Sequence, residues 1–421
     1  MSPRNWRRLA LLAAVLLLLT GVALAQDSNI RVQCPTTTEL HSLPGGLGPD
    51  GSRVRCDHLA AGDGFATMGD GTPLYIFGFS RLPYDGDPVA PGIQPVDPDA
   101  MMMQGMVAAN LPAPVLVADE GDELYLTLTN VGMTYRPDLF DPHSVHWHGF
   151  PQAASVFDGV PDSSIAINMA ASFTYYYLAN DPGTYFYHCH VEATEHMQMG
   201  MLGSLYVKPR QNRCLTPGNG PCPPGHVAGH TYAYNDGDGS TRYDKDYPIQ
   251  IASFDPAFHE ASVGVNPLPF ADMKDTYFLL NGRSYPDTVQ ANCLPQTVYP
   301  GVGESNGQTQ CQHSLITATP GQRILLRLSN ASVTEYATVG TIGIPMRVVG
   351  RDARLLRGDD GVNQDYLTNS ITLGGGESAD VILDTTGLTP GTTYFLYATN
   401  LNFLSNDAEN FGGLMTEIRI Q

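Results

Sequence analysis

Leu124, Leu126 and Leu128 alternate with Tyr125, Thr127 and Thr129, the period-two pattern of a strand with one buried face. The same phrase returns two hundred residues later. Glu-Gly-Asp-Glu-Leu-Tyr-Leu-Thr-Leu-Thr-Asn (Glu120 to Asn130) matches Pro-Gly-Gln-Arg-Ile-Leu-Leu-Arg-Leu-Ser-Asn (Pro320 to Asn330), turn glycine and final asparagine included. A second match pairs Asp181 to Tyr187 with Thr389 to Tyr397, and a closing strand follows each, Gly203 to Lys208 and Gly413 to Arg419. Short alternating runs between many Gly and Pro predict an all-β chain, and two copies of one unit predict two tandem Greek-key β-sandwich domains. The expected division is a first domain over 26–208, a Pro/Gly/Asp-rich connector over 209–246, and a second domain over 247–421.

Ahead of these lies a different pattern. Arg4, Arg7 and Arg8 precede an apolar stretch from Leu9 to Thr20, which ends in Ala23-Leu24-Ala25. It reads as a cleavable signal peptide over 1–25, giving a secreted or periplasmic protein. The apolar core is short for a bilayer span, so no membrane insertion is expected. With 42 acidic against 22 basic side chains, the net charge of −20 disfavours nucleic acid and anionic membrane as partners. Seven cysteines is an odd number for an exported chain. Cys189 has another use, and the spacing of the rest suggests three local disulfides, Cys34 with Cys56, Cys214 with Cys222, and Cys293 with Cys311, among the fifteen connectivities that six cysteines allow.

Six of the twelve histidines fall between residues 143 and 196 and bracket Cys189. The pattern is His143-x-x-His146-Trp147-His148-Gly149, then His188-Cys189-His190, then His196 and Met201. A blue-copper centre takes two imidazoles, a thiolate and a weak axial thioether, which His143, Cys189, His196 and Met201 supply. In each His-x-His on a strand the two imidazoles point to one face. His188 and His190 therefore put a second metal centre within one peptide unit of the thiolate, an arrangement suited to an enzyme that collects single electrons.

These segments resemble the multicopper oxidases, a family of cupredoxin-fold proteins that includes laccases and ferroxidases, with copper nitrite reductases as relatives. The likeness covers roughly Ala113 to Lys208 and Tyr247 to Gln421. It implies type 1 copper at His143, Cys189, His196 and Met201, and type 2 and type 3 copper at His146, His148, His188 and His190. It further implies that Asp158, in Phe157-Asp158-Gly159, feeds protons to reduced oxygen, although an ordinary Asp-Gly turn reads the same way. The implied activity is one-electron oxidation of a small reductant, a phenol or a metal cation, coupled to reduction of O2.

The chain departs from the family in its second half. His188-Cys189-His190 aligns with Ala398-Thr399-Asn400, and His146 to His148 falls near Val339 to Ile342. Half of the eight histidines of the family's trinuclear cluster are thus missing. A homo-oligomer or a partner chain would have to supply further histidines. The alternatives are a nitrite reductase-like enzyme, disfavoured by Asn400, and a type 1 copper electron carrier or copper-handling protein. Isolated His226, His230, His259 and His313 read as surface or hydrogen-bonding residues, the Asn235 to Ser240 loop as a turn rather than a calcium site, and Met101, Met102, Met103, Met106, Met197 and Met199 as gap fillers rather than a Cu(I) cluster.

Overall fold

The two copies of the strand phrase fold alike. In this computed structural model, which describes residues 32–82, 98–296 and 308–421, the first half contains β1 (Val54–Thr67), β2 (Pro73–Arg81), β3 (Ala113–Asp119), β4 (Glu123–Gly132), β5 (His146–His148), β6 (Ser172–Leu178), β7 (Gly183–His188) and β8 (Leu202–Lys208). One sheet runs β2-β1-β4-β6 and the other β3-β8-β7-β5, with β1 parallel to β4 and β3 parallel to β8. In the second half, strand Arg323–Asn330 lies parallel to Lys245–Phe254 and antiparallel to Ser378–Asp384, the arrangement of β4 between β1 and β6. Strand Thr393–Ala398 pairs with Met415–Ile420 as β7 pairs with β8. The fold class is the one expected, an all-β chain with two tandem sandwiches.

Leu124, Leu126 and Leu128 point into the first core at 0–1% exposure; each stabilises by roughly 1.5–3 kcal/mol. The alternation implied a solvated outer face, and here the structure differs. Thr127 and Thr129 are also fully buried, the first in a hydrogen bond with Thr174 (2.8 Å) and the second with His58 Nε2 (2.7 Å). β1 and β2, which the repeat did not reveal, complete this sheet. β1 breaks the period-two pattern with Gly62 and Gly64, both closely packed against neighbours, because side chains there would meet Val131 and Ala109.

The halves pack through an apolar seam that joins Leu74, Ile76, Phe186 and Leu202 to Phe254, Tyr277 and Leu279. Beside it lies a buried polar knot. Arg327 is fully buried, with Nε 2.9 Å from Asp246 and its guanidinium over the Tyr206 ring. Asp380 accepts from Thr184 on β7 (2.6 Å) and from Tyr234 (2.5 Å). The start of β7 is thereby pinned to the second half, and its end carries His188.

Between β8 and the strand Lys245–Phe254 the chain forms the ribbon Thr231–Tyr232 with Arg242–Tyr243. Cys34–Cys56, Cys214–Cys222 and Cys293–Cys311 are disulfides, and among the described residues Cys189 alone is free. The leader over 1–25 lies outside the described residues. No described helix is long and apolar enough to cross a membrane.

Candidate metal centre

Backbone pairing brings the sequence-distant histidines together. An isolated bridge between His143 and Ile167 fixes the residue just before β5. Antiparallel pairing of β5 with β7 sets His146 opposite His188, Trp147 opposite Tyr187 and His148 opposite Phe186. Ser144 ties the two segments further: its N–H donates to Cys189 Sγ (3.4 Å) and its hydroxyl accepts from the His190 N–H (3.2 Å). The short helix Ala193–Gln198 then returns the chain, with Cys189 N–H donating to the Met201 carbonyl (3.2 Å) and Met201 N–H to that of His196 (2.9 Å).

Cys189, His143, His196 and Met201 are fully buried. Nδ1 of His143 and of His196 lie 3.8 and 3.2 Å from Cys189 Sγ. An ion bonded to nitrogen and sulfur at roughly 2.05 and 2.3 Å with a tetrahedral angle would hold them about 3.6 Å apart, so the trio fits one ion without rearrangement. The donor set, two imidazoles and a thiolate with a thioether residue beside them, suits copper. Burial, with the neighbouring His196, holds the His143 imidazole well below the usual histidine range. Burial lowers His196 as well, but the Cys189 sulfur and Asp141 outweigh it and raise that pKa to about 10.

The second group is an imidazole cluster. Ring centroids of His146 lie 6.0, 5.3 and 5.0 Å from those of His148, His188 and His190. Ligating atoms of His146, His148 and His188 all fall within 4.8 Å of one another. His146 Nδ1 meets the Asp158 carbonyl at 2.6 Å, and His188 Nδ1 the Cys189 carbonyl at 2.8 Å. A carbonyl only accepts, so each Nδ1 carries the proton and each Nε2 is left with a lone pair for a metal, the arrangement expected behind metal-binding histidines. Burial lowers His146 and His148 and takes His188 down to about 3, keeping these rings neutral and competent to ligate.

Asp158 stands behind His146. Its Oδ1 is 3.5 Å from the same Nδ1 that its carbonyl holds, and it does not line the cleft in front of the cluster. The geometry is that of a residue orienting His146. Gly159 makes the turn possible: φ is +79°, and a Cβ there would lie 2.1 Å from the Val145 carbonyl oxygen.

Strand pairing in the second half reproduces the register without the chemistry. Val339 lies opposite Ala398 and Thr341 opposite Leu396, the counterparts of His146 with His188 and His148 with Phe186. Asn400 is exposed, and its side chain caps the turn Leu401–Phe403 by accepting from the Asn402 N–H. Asp236 accepts from N–H groups of Gly239 and Thr241 and from the Gln211 amide, so its carboxylate is occupied by donors, not aimed at a cation. His259 Nδ1 meets the Tyr75 carbonyl at 2.6 Å, and His226 packs on Tyr232. Met199 is buried, Met197 lines the cleft, and Met103 and Met106 are exposed.

Four side chains escaped the sequence reading. Asp141 Oδ2 lies 3.8 Å from His196 Nε2, and Glu192 joins them in a cluster of ligating atoms within 4.8 Å of one another. Asp141 stands two residues before His143, a proximity visible in the sequence. Glu335 and Ser332, from the second half, line the cleft in front of the four histidines; no local signal marks them.

Comparison with known proteins agrees with this geometry. Models described as multicopper oxidase match residues 94–212 and 267–416. The chain is 24% identical over 283 residues to an L-ascorbate oxidase of Cucumis sativus, covering 66% of this chain and 41% of that protein. It spans less than half the length of that relative and of the L-ascorbate oxidase of Cucurbita pepo. Among solved structures, a blue copper oxidase from Nitrosomonas europaea superposes with a TM-score of 0.59 at 22% identity, covering 87% of this chain and 86% of that one. A copper nitrite reductase from the same organism gives 0.53 at 18% identity, covering 88% and 94%.

Proposed function

Because this chain belongs to the multicopper oxidase family, whose members hold type 1, type 2 and type 3 copper, we propose that it is an exported copper oxidoreductase that oxidises a small reductant and reduces O2. One observation carries this reading: a buried Cys189 with two imidazole nitrogens at 3.2 and 3.8 Å is flanked in sequence by two members of a four-imidazole cluster. Copper bound at these sites would supply one-electron acceptance at Cys189 and multi-electron delivery to dioxygen. The protein's own part is to hold His143 and His196 by backbone pairing, to exclude water from Cys189, and to leave Nε2 of His146 and His188 free. His188 and His190 adjoin Cys189, so single peptide units link the sulfur-bearing residue to both. Every histidine lining the cleft comes from the first half, so we assign the missing ligands of a full cluster to a second copy or a partner chain. The proposed division is 26–208, 209–246 and 247–421, and the three disulfides support export.

The reductant is assigned to the metal-cation class. Asp141 and Glu192 converge on the His196 edge opposite the one facing Cys189. Two carboxylates there attract a cation and place it one imidazole away from the thiolate.

Copper content with optical and EPR spectra on the intact assembly tests the centre. Cys189→Ser must abolish the blue band, and a variant that kept it would refute the ligand assignment. One blue copper per chain with no further signals, in a strictly monomeric protein, would sink the oxidase reading. For the reductant, the double variant Asp141→Asn/Glu192→Gln is expected to lower the ratio of Fe(II) to phenol turnover roughly tenfold; an unchanged ratio would remove the cation assignment alone.

A further inference from the structure

The two halves differ in one connection. In the first, β1 and β2 are joined by the short stretch 68–72; in the second, the matching antiparallel pair Lys245–Phe254 and Tyr277–Leu280 is joined by 255–276. This longer connection is an arm that crosses to the other half. Asp255 closes its base, one carboxylate oxygen accepting from the Ala257 N–H and the other from the Lys274 N–H, both at 2.9 Å. Phe258, on the helix Pro256–Val263, is fully buried in the core of the first half, with Val263, Leu268 and Met273 packed against that core. His259 Nδ1 meets the Tyr75 carbonyl on β2, and Arg136 donates to the Ser262 carbonyl.

The arm leads to Asp275, 8% exposed, whose two carboxylate oxygens have different partners. Oδ2 accepts from the hydroxyls of Ser253 and Thr334, each at 2.5 Å, and is thereby fixed within the second half. Oδ1 accepts from the Gln198 amide at 3.1 Å, across the seam between the halves. Gln198 is fully buried, stands two residues after His196 and ends the helix Ala193–Gln198.

That helix needs outside support. Its six residues are too few to hold a helical turn unaided, and Glu192 at its start makes no side-chain capping hydrogen bond. At its far end the Phe77 N–H donates to the Met199 carbonyl (2.9 Å), and the Gln198 amide donates to Asp275. The first tie comes from β2 and the second from the other half of the chain.

On the copper reading of Cys189 given above, but independently of how dioxygen is reduced, we propose that Asp275 and Gln198 are a positioning pair for the type 1 centre: through them the arm of the second half sets where His196 stands relative to Cys189. The His196 nitrogen lies 3.2 Å from the sulfur, a separation that one ion bridges only while the helix stays in place. The second half, whose repeat lacks the copper motifs, thus acts on the centre by holding one of its ligands.

Gln198→Met is the sharp variant. Gln198 Oε1 is buried without a hydrogen-bond partner among the described residues, which costs stability. A methionine removes that cost and still fills the space, so the copper-free variant should unfold in urea at or above the wild-type midpoint. In the copper-loaded full chain, chelator competition followed by the blue band should give a Cu(II) affinity about tenfold below wild type, as for other groups behind a ligand, with a displaced copper hyperfine splitting in EPR. Asp275→Ala should lower the affinity likewise. Asp275→Asn should stay near wild type, because the Gln198 amide can turn to accept from the new side-chain N–H while the remaining oxygen keeps Ser253 and Thr334. That rescue separates a hydrogen bond that positions the helix from a mere effect of charge. Wild-type affinity and hyperfine splitting in Gln198→Met would overturn the proposal, as would an affinity loss in Asp275→Asn equal to that in Asp275→Ala, or a loss in Gln198→Met matched by a fall in its copper-free urea midpoint. A wild type with no blue band would instead sink the copper reading of Cys189, and this proposal with it.

Discussion

Replacing Gly159 by alanine tests the link between a backbone turn and a metal ligand. The residue adopts φ +79°, which for an alanine costs roughly 1–2 kcal/mol. Its Cβ would meet the Val145 carbonyl oxygen at 2.1 Å and the carbonyl carbon at 2.5 Å. Ordinary contact is about 3.4 Å or more, so the turn must retreat by roughly 1 Å. That motion carries Asp158 with it and breaks the 2.6 Å hydrogen bond from His146 Nδ1 to the Asp158 carbonyl. Loss of a partner for a largely buried ring nitrogen adds about 1–3 kcal/mol, for a total of roughly 2–5 kcal/mol. Unfolding midpoints in urea should fall accordingly, and metal affinity at the histidine cluster should drop about 10- to 100-fold, as for other groups that orient a ligand from behind. Asp158→Ala is the control, since it removes the carboxylate and keeps the carbonyl. If Gly159→Ala binds copper as tightly as Asp158→Ala and melts with wild type, the turn does not hold His146 and the reasoning fails.

Arg327→Met should destabilise by about 3–5 kcal/mol in urea unfolding, because Asp380, 1% exposed, would keep a buried charge without its cation; a loss under about 1 kcal/mol would mean that the knot between the halves is incidental. His58 is 1% exposed, and burial lowers its pKa from the ordinary 6.5 to about 4. The neutral ring is favoured in the folded state, so its contribution is complete above pH 6.5 and is lost as pH falls towards 4, by up to about 3 kcal/mol at roughly 1.4 kcal/mol per unit. Stability measured at pH 7 and pH 4.5 should therefore differ less in His58→Gln than in wild type, and an equal difference in both would refute the assignment.

Much of the site was legible in the sequence because its ligands come in local clusters. His146 and His148 share a face by strand period alone, and Cys189 with His196 and Met201 spans one strand end and one short helix. The loss of ligands in the second half was legible for the same reason, since Val339, Thr341, Ala398 and Asn400 are local replacements in a repeated register. The strands β1 and β2 were not, because Gly62 and Gly64 interrupt the alternation to admit close neighbours.

By itself, then, the sequence determined the duplication, the all-β class, and the residues of two imidazole-rich motifs, all of which depend on spacing along one strand or turn. Only tertiary packing decided what those motifs face. It set Asp141 and Glu192 against the outer edge of His196, turned Asp158 to the back of His146, and brought Glu335 and Ser332 of the other half to the open side of the cluster. The physical reason is range: a strand's period orients neighbours two residues apart, whereas the distance from His146 to Glu335 in sequence is bridged only by burying the seam between two sandwiches.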